Sequence, residues 1–186
     1  MNPTLNKSDF EDLTTSLKDL AYSYLEKYSP SKQQLKVYLL KKYLTKIKGS
    51  QSKKEVTSII DEIIKNLENN RIINDELYSD SKARMFLKRG YSLNKINQSL
   101  RIKGVDSKYI KQSLDKIKEN EIEPDFVSAL KLCKRRRIGP LRPQSNRELF
   151  YKKDMGILAR AGFSFDLSKR ILNIDVKEFN KLLKII

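Results

Sequence analysis

Apolar residues recur at steps of three and four along most of this chain, the period of one face of an α-helix. Between Ser8 and Lys27 the step is kept by Phe10, Leu13, Leu17, Leu20, Ala21, Tyr24 and Leu25. Ser8 and Glu11 have capping-box spacing, in which the serine oxygen accepts a free backbone N–H and the acid reaches back to the cap residue. Ser31 with Gln34 repeats the device ahead of Leu35, Tyr38 and Leu39, and Pro30 keeps the first helix from extending past Tyr28. After a stop at Gly49, Ser52 with Glu55 opens a third helix with the most regular stripe of all: Val56, Ile59, Ile60, Ile63, Ile64 and Leu67.

A second trio follows. Asn74 caps a helix running through Leu77, Tyr78, Met85 and Phe86 to Gly90, Ser92 caps a short one ending near Gly104, and Asp106 caps another with Ile110, Leu114 and Ile117 on one face. After the break at Glu121–Asp125, Pro124 starts a helix reaching about Arg137. A loop with Gly139, Pro140 and Pro143 leads to a helix capped by Asn146 and ending before Gly162. Two short helices follow, one from Ser164 with Leu167, Ile171 and Leu172, the other from an Asp175 and Glu178 cap pair with Phe179, Leu182 and Leu183. No segment reads as a strand.

The trios share a pattern. Phe86–Ser92 lines up with Leu158–Ser164, each an apolar pair, a basic residue, a glycine stop, an aromatic and a serine, with Leu100 and Leu172 in the same later place. Such self-similarity predicts an all-α fold of tandem three-helix modules stacked into an elongated, curved array. The modules are expected at 1–72 (divergent, lacking the glycine), 73–122, and 123–186 with an additional basic helix and loop. A single helical domain with chance similarity between caps is the alternative.

Charge changes the picture from fold to partner. Lys and Arg number 39 against 23 Asp and Glu, for a net +16 in 186 residues. That excess predicts a polyanionic partner, although 28 of the cations are lysine and a compositional bias competes as explanation. No histidine is present, which removes Ser-His and Cys-His nucleophile pairs and histidine metal sites, and the six glycines form no phosphate-cradling loop. A non-enzymatic protein without cofactor or metal is expected. Cys133, the single cysteine, reads as a buried structural thiol in a reducing compartment. No secretory leader pattern lies near Met1 and no apolar run approaches the ~18–20 residues that span a bilayer. A cytoplasmic monomer is expected, with no membrane partner.

Half of the net charge lies in one stretch. From Lys131 to Lys153 the cations are Lys131, Lys134, Arg135, Arg136, Arg137, Arg142, Arg147, Lys152 and Lys153 against Glu148 alone, nine minus one, or +8. Cations at a helix C-terminus gain roughly 0.3–1 kcal/mol each from the backbone dipole. That accounts for Arg135–Arg137 but not for Arg142 and Arg147, so the patch predicts phosphate or acidic protein surface as partner. Arg84, Lys88 and Arg89 with Arg101 and Lys103 form a second band, for which a solvated face is the competing reading. Tyr91 and Phe163 sit where core residues would pack rather than where bases stack, and Gly156 within a helix suggests close helix approach.

The stretch Asn74–Tyr78, Arg84, Arg89–Ser92 and Leu100–Asp106 resembles the central module of the RecX family of recombination regulators. Lys134–Arg142 followed by Ala159–Phe165 is similar to the C-terminal part of one branch of it. The resemblance runs from about Leu17 onward and is weakest in the first module, where the glycine is missing and a lysine-rich loop spans Lys46 to Lys54. It implies a three-module helical protein, with no enzymatic activity of its own, that lies along the groove of the RecA recombinase filament on single-stranded DNA. There it modulates, usually by inhibition, the ATPase and strand exchange of recombination, DNA repair and the SOS response. Arg160 in the second stretch joins the cations above as a candidate contact. Direct, sequence-independent nucleic-acid binding, with phosphates met by the same cations, remains the alternative, and an adaptor working through apolar helix faces is a third class.

Overall fold

The structure, a computed structural model, describes residues 7–47 and 53–185. Among them ten α-helices and no strand are found: α1 (Lys7–Leu25), α2 (Lys32–Lys42), α3 (Lys53–Asn69), α4 (Asp75–Lys88), α5 (Leu93–Ile102), α6 (Ser107–Asn120), α7 (Pro124–Arg136), α8 (Gln144–Arg160), α9 (Phe165–Leu172) and α10 (Val176–Ile185). A π-helical turn, Tyr43–Ile47, continues α2, and a 3-10 turn, Gly139–Leu141, links α7 to α8. The described residues form two compact units, one reaching to Tyr78 and including Lys103–Asp106, the other made of Ser79–Ile102 and the chain from Ser107 onward.

The first unit is built on the three faces read from the sequence. Leu13, Leu17 and Ala21 of α1, Leu35 and Leu39 of α2, and the whole α3 stripe from Val56 to Leu67 make one buried cluster. Leu17, Leu35, Leu39 and Ile60 are fully buried, each worth roughly 1.5–3 kcal/mol of transfer free energy. The capping box at Ser31 forms as expected: Gln34 N donates to Ser31 Oγ and Ser31 N to Gln34 Oε1, both at 3.2 Å. Helix α1 already includes Lys7, so Ser8 lies within it and is not its cap, while the box at Ser52 and the stop at Gly49 lie outside the described residues.

In the second unit the cluster gathers Leu130, Leu132 and Cys133 of α7, Leu158 of α8, Ile171 and Leu172 of α9, and Phe179 of α10. Phe163 is buried in it and Tyr91 packs against it while stacking on Phe86 at 5.6 Å, so both aromatics are core residues. Cys133 is fully buried, as expected; burial first and the Asp154 charge second push its thiol up to about 12. Two helix starts bear out their caps, with Lys95 N donating to Ser92 Oγ at 3.1 Å and Leu167 N to Ser164 Oγ at 3.2 Å.

Three local expectations are corrected. Helix α8 starts at Gln144, so Asn146 is in its first turn, its N–H given to the Pro143 carbonyl, and is not the cap. The reason lies in Pro143, whose extended backbone (ψ 140°) lets the helix begin three residues earlier than a cap at Asn146 would. Gly156 faces no neighbouring helix: a Cβ there would meet only the Arg160 guanidinium, at 3.4 Å. Leu77 lies in the first turn of α4 but points outward, 67% exposed.

Candidate binding surface

The basic stretch begins where α7 ends. Leu130, Leu132 and Cys133 fix the buried side of that helix, so the consecutive Lys134, Arg135 and Arg136 fall on its exposed sides. Arg137 ends the helix in the left-handed conformation (φ 52°), donating to the Cys133 and Lys134 carbonyls, and is exposed. A longer side chain than glycine sits at this turn at a conformational cost. Lys131, a turn earlier, is half-buried.

Beyond Arg137 the cations diverge in role. Asp154 on α8 is 1% exposed and accepts three bonds: from Gly139 N at 2.9 Å, Arg142 Nε at 2.6 Å and Arg142 Nη2 at 2.7 Å. This charge-assisted fork pins the 3-10 turn to α8 and raises the Arg142 pKa further. Arg142 also stacks its guanidinium on Phe150, 4.4 Å from the ring centroid. Arg147 is partly buried and donates to the Pro140 carbonyl from Nη2. Arg142 and Arg147 thus hold the loop, while Lys152 and Lys153 are exposed on α8.

The end of α4 is set against α7. Ser128 Oγ of α7 donates to the Leu87 carbonyl at 3.2 Å and the Tyr91 carbonyl at 2.9 Å. Gly90 (φ 74°) comes so near that a Cβ would lie 2.8 Å from Leu132 Cβ. Exposed Lys88 and Arg89 immediately precede that contact on the α4 side. Among the described residues no carboxylate pairs with Lys88, Arg89 or Lys134–Arg137.

The remaining candidates fall elsewhere. Arg84 is exposed and lines a cleft of about 330 Å³ with Asp80, Lys116 and Glu121. Burial pushes the Asp80 carboxyl up, but hydrogen bonds from Lys116 and Ser113 and the charges of Lys116 and Arg84 outweigh it and hold the group below its ordinary value. Arg101 is exposed in the last turn of α5, and Lys103 is half-buried in the first unit, its carbonyl accepting from Ser31 Oγ at 2.6 Å. Arg160 is exposed at the end of α8, next to the Ala161–Gly162 turn that abuts Ser92 and Lys95.

Three acids escaped the sequence reading: Asp154, Asp75 and Asp125. Asp75 and Asp125 accept backbone N–H groups of Lys32 (2.9 Å) and Leu93 (2.7 Å), contacts 43 and 32 residues apart in sequence. Burial, the largest influence on each, raises both carboxyls above the ordinary aspartate value. Asp154 offered one signal, the acid that ends the run of cations.

Fold and charge together define the class: a strongly basic, all-helical protein. Among the described residues no helix is long and apolar enough to cross a membrane, and no group of three or more metal-ligating side chains occurs. No family model matches the chain. It is 32% identical over 161 residues to a protein named regulatory protein RecX from Myxococcus xanthus (strain DK1622), covering 86% of this chain and 85% of that one. The chain belongs to the RecX family. Its fold is also that of a crystal structure of RecX from Lactobacillus salivarius (TM-score 0.58, 19% identity, 92% of this chain and 99% of that one). A second crystal structure of regulatory protein RecX agrees (TM-score 0.59, 21% identity, 92% and 79%).

Proposed function

We propose that this protein binds the filament of the RecA recombinase on single-stranded DNA, along its groove, and inhibits its ATPase and strand exchange. It acts in the cytoplasm, as a monomer without cofactor, in recombination, DNA repair and the SOS response. Family membership supports the regulatory role and the partner. The observation that carries the contact surface is the run Lys134–Arg137 at the exposed end of α7, with exposed Lys88 and Arg89 next to the Gly90 contact with the same helix, all six without a carboxylate partner among the described residues. Free cations so arranged meet an anionic surface without first breaking an internal ion pair. In this reading Arg142 and Arg147 shape the loop behind the contact, Lys131 and Arg160 border it, Arg84 and Arg101 extend it, and Lys103 is a separate candidate in the first unit. The helical trios divide near residues 72 and 122.

Co-sedimentation with cognate filaments, together with the DNA-dependent ATPase, tests it. The expected result is binding and inhibition at or below one protein per recombinase subunit; no co-sedimentation and no effect on ATPase would remove it. Direct nucleic-acid binding is the second reading, favoured by the same six free cations. It predicts tight binding to bare DNA that falls steeply with salt and needs no recombinase.

A further inference from the structure

Helix α8 has an inner and an outer side. On the inner side Asp154 and Leu158 are buried, and Tyr151 and Met155 pack against the core of the second unit. At about 100° of arc per residue, Leu149, Lys153, Gly156 and Arg160 fall opposite them, in a single stripe about three turns long. Lys152 lies along one margin of that stripe, with Glu148, also exposed, beyond it. Among the described residues no carboxylate pairs with Lys152, Lys153 or Arg160; Lys153 Nζ lies 5.5 Å from the centroid of the Phe150 ring.

Two members of the stripe are out of place on a face that meets only water. Leu149, on its centre line, is 76% exposed. Gly156 lies in the interior of a 17-residue helix, where glycine is destabilising relative to alanine. The chain's own packing does not require it: the backbone is helical there, and a Cβ would meet only the mobile end of Arg160, at 3.4 Å. A bare stretch of helix backbone lets a second helix approach more closely than side chains otherwise permit. Leu149, two turns away on the same line, gives such a helix an apolar residue to cover. Three cations against one acid at the margin set the sign of the charges it must bring.

The surroundings favour the same sign. The chain as far as Tyr78 holds 13 cations and 11 acids, so almost all of the net +16 belongs to the residues after it, α8 among them. A phosphate backbone would satisfy the cations and leave Leu149 in water. A second copy would set one cationic stripe against another.

We infer that the outer side of α8 is a docking surface for an amphipathic helix of the partner protein, one that carries carboxylates beside an apolar residue. The inference rests on the functional reading above, which makes that protein the recombinase. It adds Leu149 and Gly156, uncharged residues, to the contact.

The test is Gly156→Ala and Leu149→Ala in the full chain, with Leu77→Ala, at another leucine exposed on a helix (67%), as control. Alanine at 156 removes a helix penalty and adds a methyl to open space, so the midpoint of thermal unfolding should rise by about 2–4 °C. The same methyl should weaken co-sedimentation with filaments about tenfold, the effect of overpacking a close helix contact. Leu149→Ala should weaken it about as much, and Leu77→Ala should leave it unchanged. If wild type binds filaments and all three variants bind equally well, the docking surface is refuted while the functional reading stands. If wild type does not bind filaments, the functional reading falls and this assignment with it. An equal loss of affinity for bare single-stranded DNA would overturn the inference in favour of nucleic acid. Concentration-dependent self-association abolished by Gly156→Ala would overturn it in favour of a second copy.

Discussion

Arg142 and Asp154 meet in a two-pronged ion pair, 2.6 and 2.7 Å, that fastens the turn after α7 to the middle of α8. Asp154 is almost wholly buried, so removing Arg142 strands a desolvated charge, a loss of roughly 3–5 kcal/mol, whereas removing Asp154 leaves the buried Gly139 N–H and the partly exposed Arg142 without their acceptor. Asp154→Ala is therefore expected to lower the urea midpoint strongly at neutral pH, and Arg142→Ala to do nearly the same. Arg142→Lys should recover only part, because an ammonium cannot form the fork. Filament binding by the folded fraction of each variant separates this scaffold role from direct contact.

Replacing Arg135, Arg136 and Arg137 together with Ala should weaken filament binding while leaving helicity intact, as far-UV circular dichroism checks. Arg137 allows a finer division. Its left-handed backbone suits glycine, so Arg137→Gly should hold stability level or raise it by up to about 1 kcal/mol while still removing a cation from the surface. A variant both more stable and weaker in binding marks the side chain as a contact. Unchanged binding would place the contact elsewhere.

Asp125 and Asp80 should respond to acid in opposite directions. Burial raises the Asp125 carboxyl, so its contribution to stability is complete below the ordinary value of 3.8 and shrinks as pH rises through the raised one. Asp125→Asn keeps an acceptor for Leu93 N and lacks that decline, so relative to wild type it should gain ground as pH rises from mild acid to neutrality. Asp125→Ala loses the acceptor and should cost about 1.5–3 kcal/mol. Asp80 is held below its ordinary value of 3.8; its contribution is present above that pH and is lost as pH falls through the lowered value. Asp80→Asn should therefore be deficient at neutral pH and equal to wild type in strong acid. Urea melts across pH follow both.

Cys133 should be silent toward thiol reagents in the folded protein. Its side chain is fully buried and its pKa stands near 12, so thiolate and access are both missing. Labelling by a maleimide should track unfolding of the α7 to α10 cluster; prompt labelling under native conditions would contradict the packing.

Helices were readable from the sequence because their information is local. The α3 stripe, the Ser31 box and the left-handed turn at Gly90 are set by residues within one or two turns of each other. The site was readable only in part. Lys134–Arg137 stand together because they are consecutive on one helix end, whereas the meeting of Gly90, next to Lys88 and Arg89, with Leu132 has no trace in spacing. Arg142 and Arg147 looked like more of the same charge, since nothing in a run of cations says which one faces inward. The same holds for Asp75 and Asp125, whose partners are backbone amides in distant segments and therefore have no side-chain signature.

Asp75 and Asp125 each grip a main-chain N–H, and the residues that offer it, Lys32 and Leu93, have nothing chemical in common. As far as this bond goes, the donating position is consequently free to drift over evolutionary time to any residue except proline, which has no hydrogen to give. Mutational tolerance across these joints should be lopsided, permissive on the donor side and limited at positions 75 and 125 to side chains that keep the acceptor.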